Sequence, residues 1–283
     1  MLTDDHAAWG HTTSTGLGFT HEEIVDAHFA ACAPAYRAAL EGVGIRPGSR
    51  VLDAGCGSGA FLPWLAELVG PAGRVSAVDL AEENAALAAR RMRAGPAGTP
   101  VRVRQGDLLD LPYEDGAFDT VWCANVTQYL SDDELGRALR ELRRVVRPGG
   151  LVAVKDLDAS LITVRPGDPF LFTDFFRAAG ASPGYARQLL RARDLYRWLD
   201  AAGLAEVRQR TVLIEHHAPL EPAAGRFYGL ACARVARQAV DLGLGPDEAW
   251  EPFLDPDAPD HPLRDRHGYI SEGNVVAVGV VPG

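Results

Sequence analysis

A glycine-rich turn between a predicted strand and a predicted helix is the feature that most constrains the fold of this chain. The apolar segment Val51-Leu52-Asp53-Ala54 runs directly into Gly55-Cys56-Gly57-Ser58-Gly59-Ala60. Because glycine has no Cβ, the backbone of such a turn can approach a bound cofactor closely. The pattern therefore predicts an α/β fold with a cofactor site where the first strand meets its helix.

Short apolar runs alternate with helical patterns on both sides of this turn. Such alternation indicates a parallel sheet that is covered by helices on both faces. We predict strands at Val51–Ala54, Arg74–Asp79, Val101–Gln105, Phe118–Ala124 and Leu151–Asp156, with helices near Ala60–Val69, Glu82–Ala94 and Ser131–Val146.

The remaining segments depart from this regular pattern. We predict insertions near 157–190 and 216–267, a helix near Ala192–Ala202, a strand at Glu206–Glu215 and a last strand at Asn274–Val280. Residues 1–45 should form an N-terminal arm and helices that cover the site, and 46–283 should form the main domain. A Thr20–Glu23 capping box should begin the first helix, which Pro34 should kink or split.

The overall charge and apolar patterning exclude several classes of protein. The chain has 283 residues and a net charge of −10, from 28 basic and 38 acidic residues, which disfavours nucleic acid as a partner. No apolar run reaches the roughly 18 residues of a membrane helix, and the first residues lack a signal-peptide pattern. The four cysteines have no C-x-x-C spacing, so we expect a cytoplasmic protein with reduced thiols and no bound metal.

Three carboxylates lie at the ends of the first three predicted strands. At the Asp53 position a pyrophosphate would be repelled and a cation attracted. Asp79 could accept hydrogen bonds from both hydroxyls of a ribose, and Asp107 could accept one from an adenine amino group. S-adenosylmethionine (SAM) has a positive sulfonium, a ribose and an adenine but no phosphate, and it matches this set. NAD stays open as an alternative, because Gly55 and Gly57 also fit a dinucleotide pattern.

The ordered set of motifs resembles the class I SAM-dependent methyltransferases. The resemblance covers residues 45 to 157 and is closest to the small-molecule branch that includes ubiquinone and menaquinone biosynthesis enzymes. It implies a Rossmann-like seven-stranded sheet with order 3-2-1-4-5-7-6, an antiparallel seventh strand and helical insertions that form a cap. Tyr129 departs from the quinone-pathway pattern, in which many relatives have histidine. The matching stretches are Val51–Gly59, Val78–Leu80, Gln105–Asp107, Leu111–Val121 and Val145–Gly150.

The resemblance also implies which residues bind SAM. Some would face its methionine portion, others its ribose and adenine, and Asn125 would touch the methionyl end. The predicted cofactor-binding residues are Asp53, Ala54, Gly55, Gly57, Asp79, Leu80, Gly106, Asp107, Leu108 and Asn125.

The predicted reaction is methyl transfer from SAM to an oxygen, nitrogen or carbon atom of a small acceptor, and we expect it to be a step of natural-product tailoring. Aromatic residues in the insertions suggest an apolar or aromatic acceptor: Phe170, Phe172, Phe175, Phe176, Tyr185, Tyr196, Trp198, Phe227 and Tyr228. An NAD-dependent oxidoreductase, a non-catalytic SAM-binding protein and a SAM-bound enzyme of another reaction are alternatives, and a homo-oligomer is also open. The candidates for a general base are Asp156, Asp158, His216, His217 and His11.

Overall fold

A seven-stranded sheet forms the centre of the molecule. The computed structural model describes residues 10–13, 18–94 and 98–283. Two short strands, β1 (Gly10–Thr12) and β2 (Gly18–Thr20), pair with each other as a separate hairpin. The strands of the main sheet are β3 (Arg50–Ala54), β4 (Arg74–Asp79), β5 (Val101–Gln105), β6 (Phe118–Ala124), β7 (Val146–Arg165), β8 (Ala205–His217) and β9 (Tyr269–Val280).

The strand order is β5-β4-β3-β6-β7-β9-β8. The first five strands of this sheet, β3 to β7, pair in parallel, whereas β9 is antiparallel to both β7 and β8. Renumbered within the sheet, this is 3-2-1-4-5-7-6 with an antiparallel seventh strand, so the predicted fold class is confirmed. Because β9 is antiparallel to its neighbours, its first residues lie at the carboxyl edge of the parallel strands.

Helices cover both faces of the sheet. Leu139 and Leu199 pack into a core on one face, and Tyr36 and Leu65 pack into a core on the other. A third core, which includes Phe172, lies in the cap above the sheet. The helices are α1 (Glu22–Glu41), α2 (Leu62–Val69), α3 (Glu82–Ala94), α4 (Asp132–Val145), α5 (Leu171–Ala179), α6 (Tyr185–Arg191), α7 (Leu195–Ala201), α8 (Pro222–Asp241) and α9 (Asp247–Trp250).

The fifth and last strands of the sheet are longer than the sequence predicts. Strand β7 has 20 residues, and β9 begins at Tyr269, not at Asn274. The two strands pair from Leu151↔Val280 to Arg165↔Tyr269, with a bulge between Asp158 and Thr163. The first part of the predicted 157–190 insertion is therefore strand, because pairing with β9 extends β7 past its apolar core.

The beginning of α1 differs from the prediction. His21 occupies the N-cap position without a side-chain hydrogen bond, so the predicted Thr20–Glu23 capping box is wrong. Pro34 lies inside the continuous helix, so the helix is not split. A Ser131–Glu134 capping box begins α4, with reciprocal hydrogen bonds of 3.3 and 2.8 Å.

The described helices were compared with the requirements for crossing a membrane. None of the helices there combines the length and the apolar composition that a bilayer crossing requires. The four cysteines all have free thiols and are buried.

Candidate active site

The glycine-rich turn is held tightly on one side and open on the other. The backbone N–H groups of Gly55 and Cys56 both donate to the carbonyl oxygen of Val78, each at 2.9 Å. Gly55 has φ +81°, and a Cβ there would lie 2.4 Å from Cγ2 of Val126. Gly57 has φ +52°, and a Cβ there would meet no atom within 4 Å. The turn therefore presents an open backbone surface to a ligand.

Asp53 is a buried carboxylate beside this turn. Its side chain is 2% exposed, and its Oδ2 atom is buried without a hydrogen-bond partner among the described residues. Burial, with a smaller contribution from the neighbouring Asp79, raises the pKa of Asp53 to about 8. An unpaired buried carboxylate is costly, and a bound cation would remove that cost. Asp53 thus fits a cofactor that brings a positive charge, as SAM does.

Asp79 lies at the end of β4, facing the same turn. Its Oδ2 accepts a hydrogen bond from the Gly57 N–H at 2.8 Å. Its Oδ1 accepts from the Ala81 N–H at 3.1 Å and from the Asn84 amide at 3.0 Å. Burial raises the pKa of Asp79, although these three hydrogen bonds oppose the shift. Because each carboxylate oxygen can accept two hydrogen bonds, Oδ2 retains capacity for a ribose hydroxyl.

The predicted adenine-binding residues lie at the end of the adjacent strand β5. The Gly106 N–H donates to the Asp79 carbonyl oxygen at 3.0 Å, which brings the two strand ends together. Asp107 is exposed, and its Oδ1 accepts from the Leu109 N–H at 2.8 Å. Leu108 is 9% exposed, and Leu80 is half-buried. This edge offers an apolar surface beside an exposed carboxylate, although its contact with adenine stays a prediction.

Asn125, directly after β6, is tied into the protein. It has φ +58°, and its backbone N–H donates to the Lys155 carbonyl oxygen at 2.8 Å. Its side-chain Oδ1 accepts from Nζ of Lys155 at 2.6 Å, and burial lowers the pKa of that lysine to about 8. The predicted contact of Asn125 with the methionyl end remains a prediction, since this oxygen already has a partner.

Two of the predicted general bases bind the protein itself. Asp156 is 1% exposed, and it accepts from Oγ1 of Thr127 at 2.6 Å and from the Gln128 N–H at 3.2 Å. Asp158 is 4% exposed, and it accepts from the Ser160 N–H in the β7 bulge at 2.9 Å. Their carboxylates therefore fix the loop after β6 and the bulge.

Two of the predicted histidines, His216 and His217, are consecutive residues at the end of β8. His217 is exposed, with its ring 5.0 Å from that of Tyr269. His216 is half-buried, its ring is 5.1 Å from that of Tyr228, and burial lowers its pKa. His11 belongs to β1, and its side chain lies outside the part of the structure that is described.

An apolar cavity of about 470 Å³ opens among β7, β9 and the cap helices. The described candidates for a general base, Asp156, Asp158, His216 and His217, do not line it, whereas six of the nine aromatic residues named from the sequence do. Its polar lining includes Arg234, Gln238, Asp241, Ser271 and Glu272, and its apolar and aromatic lining includes Leu157, Ile162, Phe172, Phe175, Phe176, Ala186, Leu189, Phe227, Tyr228, Ala231, Val235 and Ile270.

A larger groove, of about 870 Å³, lies on the outer strands β4 and β5. It contains no residue of the glycine-rich turn, and it is therefore separate from the site described above. Its lining includes Arg50, Arg74, Arg93, Arg102 and Arg104.

A buried polar cluster, which the sequence did not predict, lies beside the apolar cavity. Nε2 of His28 lies 2.9 and 3.1 Å from the two carboxylate oxygens of Glu272. The Sγ atom of Cys32 lies 3.5 Å from Glu272 Oε1, and the Tyr36 hydroxyl lies 3.5 Å from His28 Nε2. A local signal exists, because His28, Cys32 and Tyr36 follow Ile24 at four-residue spacing and so share one helix face. Glu272 is likewise a charge within an otherwise largely apolar strand.

Comparisons with known proteins agree with this geometry. A family model described as a methyltransferase domain matches residues 51–150. A 2-phytyl-1,4-naphtoquinone methyltransferase from Synechocystis sp. is 30% identical over 189 residues, which are 67% of this chain and 67% of that protein. An uncharacterized 37.1 kDa protein in transposon TN4556 of Streptomyces fradiae is 40% identical over 125 residues, or 44% of this chain.

The fold is shared with solved structures of low sequence identity. The phosphoethanolamine N-methyltransferase 2 of Haemonchus contortus in complex with S-adenosyl-L-methionine gives a TM-score of 0.56 at 16% identity. The match covers 92% of this chain and 57% of that one. The chain spans 35% of the Streptomyces protein and 67% of the Synechocystis protein. It belongs to the class I SAM-dependent methyltransferases and resembles their quinone-biosynthesis members, and its cofactor is S-adenosyl-L-methionine.

Proposed function

We propose that this protein transfers the methyl group of SAM to an oxygen, nitrogen or carbon atom of a small apolar or aromatic metabolite. The observation that carries the proposal is the cavity of about 470 Å³, whose lining is mostly apolar and aromatic. The cavity lies at the carboxyl edge of the sheet, where ligands of open α/β folds bind. The Synechocystis relative, whose name specifies a phytyl-naphthoquinone, is consistent with an acceptor of this kind.

The chain's own residues would bind and align the two reactants. SAM supplies a methyl group that its sulfonium already activates, so alignment and exclusion of water account for much of the remaining barrier. In this proposal Asp53 faces the positive charge of the cofactor, Asp79 holds the ribose and Gly57 allows close approach of the backbone. The other proposed cofactor contacts come from Ala54, Gly55, Leu80, Gly106, Asp107, Leu108 and Asn125.

The wider setting belongs to the same proposal. Cap segments that form a separate acceptor pocket on a single domain are typical of enzymes that tailor natural products. By this analogy we place the reaction in natural-product tailoring in the cytoplasm. An NAD-dependent oxidoreductase is disfavoured by the buried Asp53, because its carboxylate would repel the anionic pyrophosphate that a dinucleotide places at a glycine-rich turn.

A transfer assay with SAM labelled in its methyl group tests the proposal. The acceptors 1-naphthol, 1-naphthylamine and 1,3-indandione present an oxygen, a nitrogen and a carbon nucleophile of similar size. We expect label to enter at least one of them. A SAM-bound protein that labels none of these acceptors, and none from a wider aromatic panel, would favour a non-catalytic role.

The cofactor half of the proposal is tested by Asp79→Ala. Loss of hydrogen bonding to the ribose should weaken SAM binding more than tenfold, because a hydrogen bond to a charged group contributes about 1.5–3 kcal/mol. Asp133→Ala, an exposed carboxylate on α4, is the matched control and should leave the affinity unchanged. An unchanged affinity in Asp79→Ala would refute the assignment of the ribose site.

A further inference from the structure

Glu272 is placed where an acceptor could meet a base. It lies near the start of β9, and this antiparallel strand brings it to the carboxyl edge of the sheet opposite the β7 bulge. Its side chain is 3% exposed, and it lines the apolar cavity together with Tyr228. A carboxylate on the wall of an apolar cavity is costly unless it has a partner.

The partner of Glu272 is His28 on α1. The His28 ring stacks on Phe227, with centroids 3.9 Å apart and an interplanar angle of 8°. This stacking fixes the ring so that Nε2 faces both carboxylate oxygens of Glu272. His28 is 14% exposed, so the pair has one buried member and one that reaches solvent.

The charge state of the pair favours an ionised carboxylate. Burial raises the pKa of Glu272, but His28 and Lys155 lower it further, so the net shift is downward. Burial lowers the pKa of His28, but the Glu272 charge outweighs this and raises it to about 10. At neutral pH the pair is therefore His28⁺ and Glu272⁻, and the carboxylate is the member that is free to accept a proton.

The titratable groups around the Glu272 carboxylate come from five other elements. Three are on α1, and one each is on β7, α6, α8 and β8. They are His28, Cys32, Tyr36, Lys155, Tyr185, Tyr228 and His216.

A chain of contacts connects this pair to the cofactor side of the site. Asn125 follows β6 next to Val126, the residue that touches the glycine-rich turn at Gly55. The Asn125 side chain accepts a hydrogen bond from Nζ of Lys155 at 2.6 Å, and this ammonium lies 3.6 Å from the centroid of the Tyr36 ring. The Tyr36 hydroxyl in turn lies 3.5 Å from His28 Nε2. These contacts connect the His28–Glu272 pair, on the wall of the apolar cavity, to the residues beside the cofactor turn.

From this arrangement we infer that Glu272, paired with His28, is the proton acceptor for the methylated substrate, which carries a weakly acidic hydroxyl group such as a phenol or an enol. This inference rests on the proposed function. The acceptor oxygen would form a bond to the methyl carbon as the carbon–sulfur bond breaks, and the hydroxyl proton would pass to the Glu272 carboxylate. The sulfonium and the carboxylate lose their opposite charges together, and His28 offers the route by which the proton later reaches solvent.

The decisive variants are Glu272→Gln and His28→Gln, assayed with 1-naphthol over a range of pH. Glu272→Gln should lower kcat about 100-fold at neutral pH, within the range for loss of a general base. Its rate should recover as the pH approaches the pKa of the naphthol, which then ionises without help. His28→Gln should move the acidic limb of the kcat/KM profile to higher pH, because the carboxylate loses its cationic partner.

A binding measurement separates this inference from the proposed function. In the presence of demethylated SAM, wild-type protein should bind 1-naphthol about tenfold more tightly than 1-methoxynaphthalene, because the ether cannot donate a hydrogen bond to the carboxylate. Glu272→Gln should reduce this preference and leave SAM affinity within twofold. Failure of SAM to bind would instead refute the proposed function.

The matched control is Glu215→Gln, an exposed glutamate on β8 that accepts a hydrogen bond from Tyr269 at 2.9 Å. It should leave kcat unchanged. A change below threefold in Glu272→Gln, or an equal loss at every pH, would overturn the inference.

A metal ion is the other occupant that this cluster could hold, since the donor atoms of His28, Cys32 and Glu272 lie within 4.8 Å of one another. Stoichiometric metal in the purified protein that is lost in Cys32→Ser would overturn a proton-accepting role for Glu272.

Discussion

Asp53 and Glu272 are both buried carboxylates at the carboxyl edge of one sheet, yet their surroundings differ. Asp53 has an oxygen without a partner in the described structure, and burial raises its pKa to about 8. Glu272 is paired with His28 at 2.9 Å, and its pKa is lowered despite its burial. The protein supplies a cation to one carboxylate and leaves the other without one.

In the proposed function, this difference gives the two sides of the site distinct roles. A carboxylate that lacks a cation is suited to a ligand that brings one, and SAM does so. A carboxylate that already has a cation is ionised before any ligand arrives, and it can receive a proton from a neutral acceptor. The cofactor side therefore depends on the ligand for its charge balance, and the acceptor side does not.

The largest expected effect is on stability, from Glu272→Ala. This change leaves His28 and Lys155 as buried positive groups without their carboxylate. Breaking a buried pair from one side costs about 3–5 kcal/mol, so the free energy of unfolding in urea should fall by this amount. The double variant Glu272→Ala with His28→Leu should recover part of the loss. Equal stability of the single variant and wild type would show that the pair does not form.

Asp53→Asn should have the opposite effect on stability and a large effect on binding. It removes an unpaired buried charge, so the cofactor-free protein at pH 9 should gain about 2 kcal/mol in the free energy of unfolding. Affinity for SAM, measured by calorimetry, should fall about 100-fold, near the upper part of the range for charged contacts. A variant that is less stable and still binds SAM would contradict the interpretation of Asp53 as a cation-binding group.

The pH dependence of the Asp53 effect is the smallest of the three changes. Because its folded pKa is raised to about 8, its contribution to stability is complete below the unfolded pKa and is lost as the pH rises through about 8. SAM binding has the opposite pH dependence, because only the ionised Asp53 attracts a cation. As the pH rises toward 8, the affinity for SAM should increase by at most about tenfold per pH unit. The amino group of SAM titrates nearby, so calorimetry on Asp53→Asn in parallel isolates the Asp53 contribution. Identical slopes in both proteins would remove Asp53 as the cause.

The cofactor side could be predicted from sequence because its signals are local. The proposed cofactor carboxylates Asp53 and Asp79 lie at the ends of short strands, and Asp107 lies two residues after the next one. Arg74–Asp79 and Val101–Gln105 have the predicted bounds. Gly55 and Gly57 can be recognised from the sequence alone, because glycine is the residue that adopts positive φ in a tight turn without steric cost.

The acceptor side could not be predicted in the same way because it depends on distant contacts. His28 and Glu272 are 244 positions apart, and neither has a neighbour in sequence that marks it as functional. The paired extension of β7 and β9 places Glu272 at the cavity, and that extension is decided by strand pairing. Asp156 was a reasonable candidate from its position after a strand, but its hydrogen bonds to Thr127 and Gln128 can be seen only in three dimensions.

Calorimetric titration of the purified protein with SAM, with its demethylated product and with NAD tests the central claim most directly. The Asp53 environment and the glycine-rich turn predict micromolar binding of SAM and of its product, with no detectable binding of NAD. Binding of NAD alone would contradict the assignment of the cofactor site, and the proposed methyl transfer would fall with it.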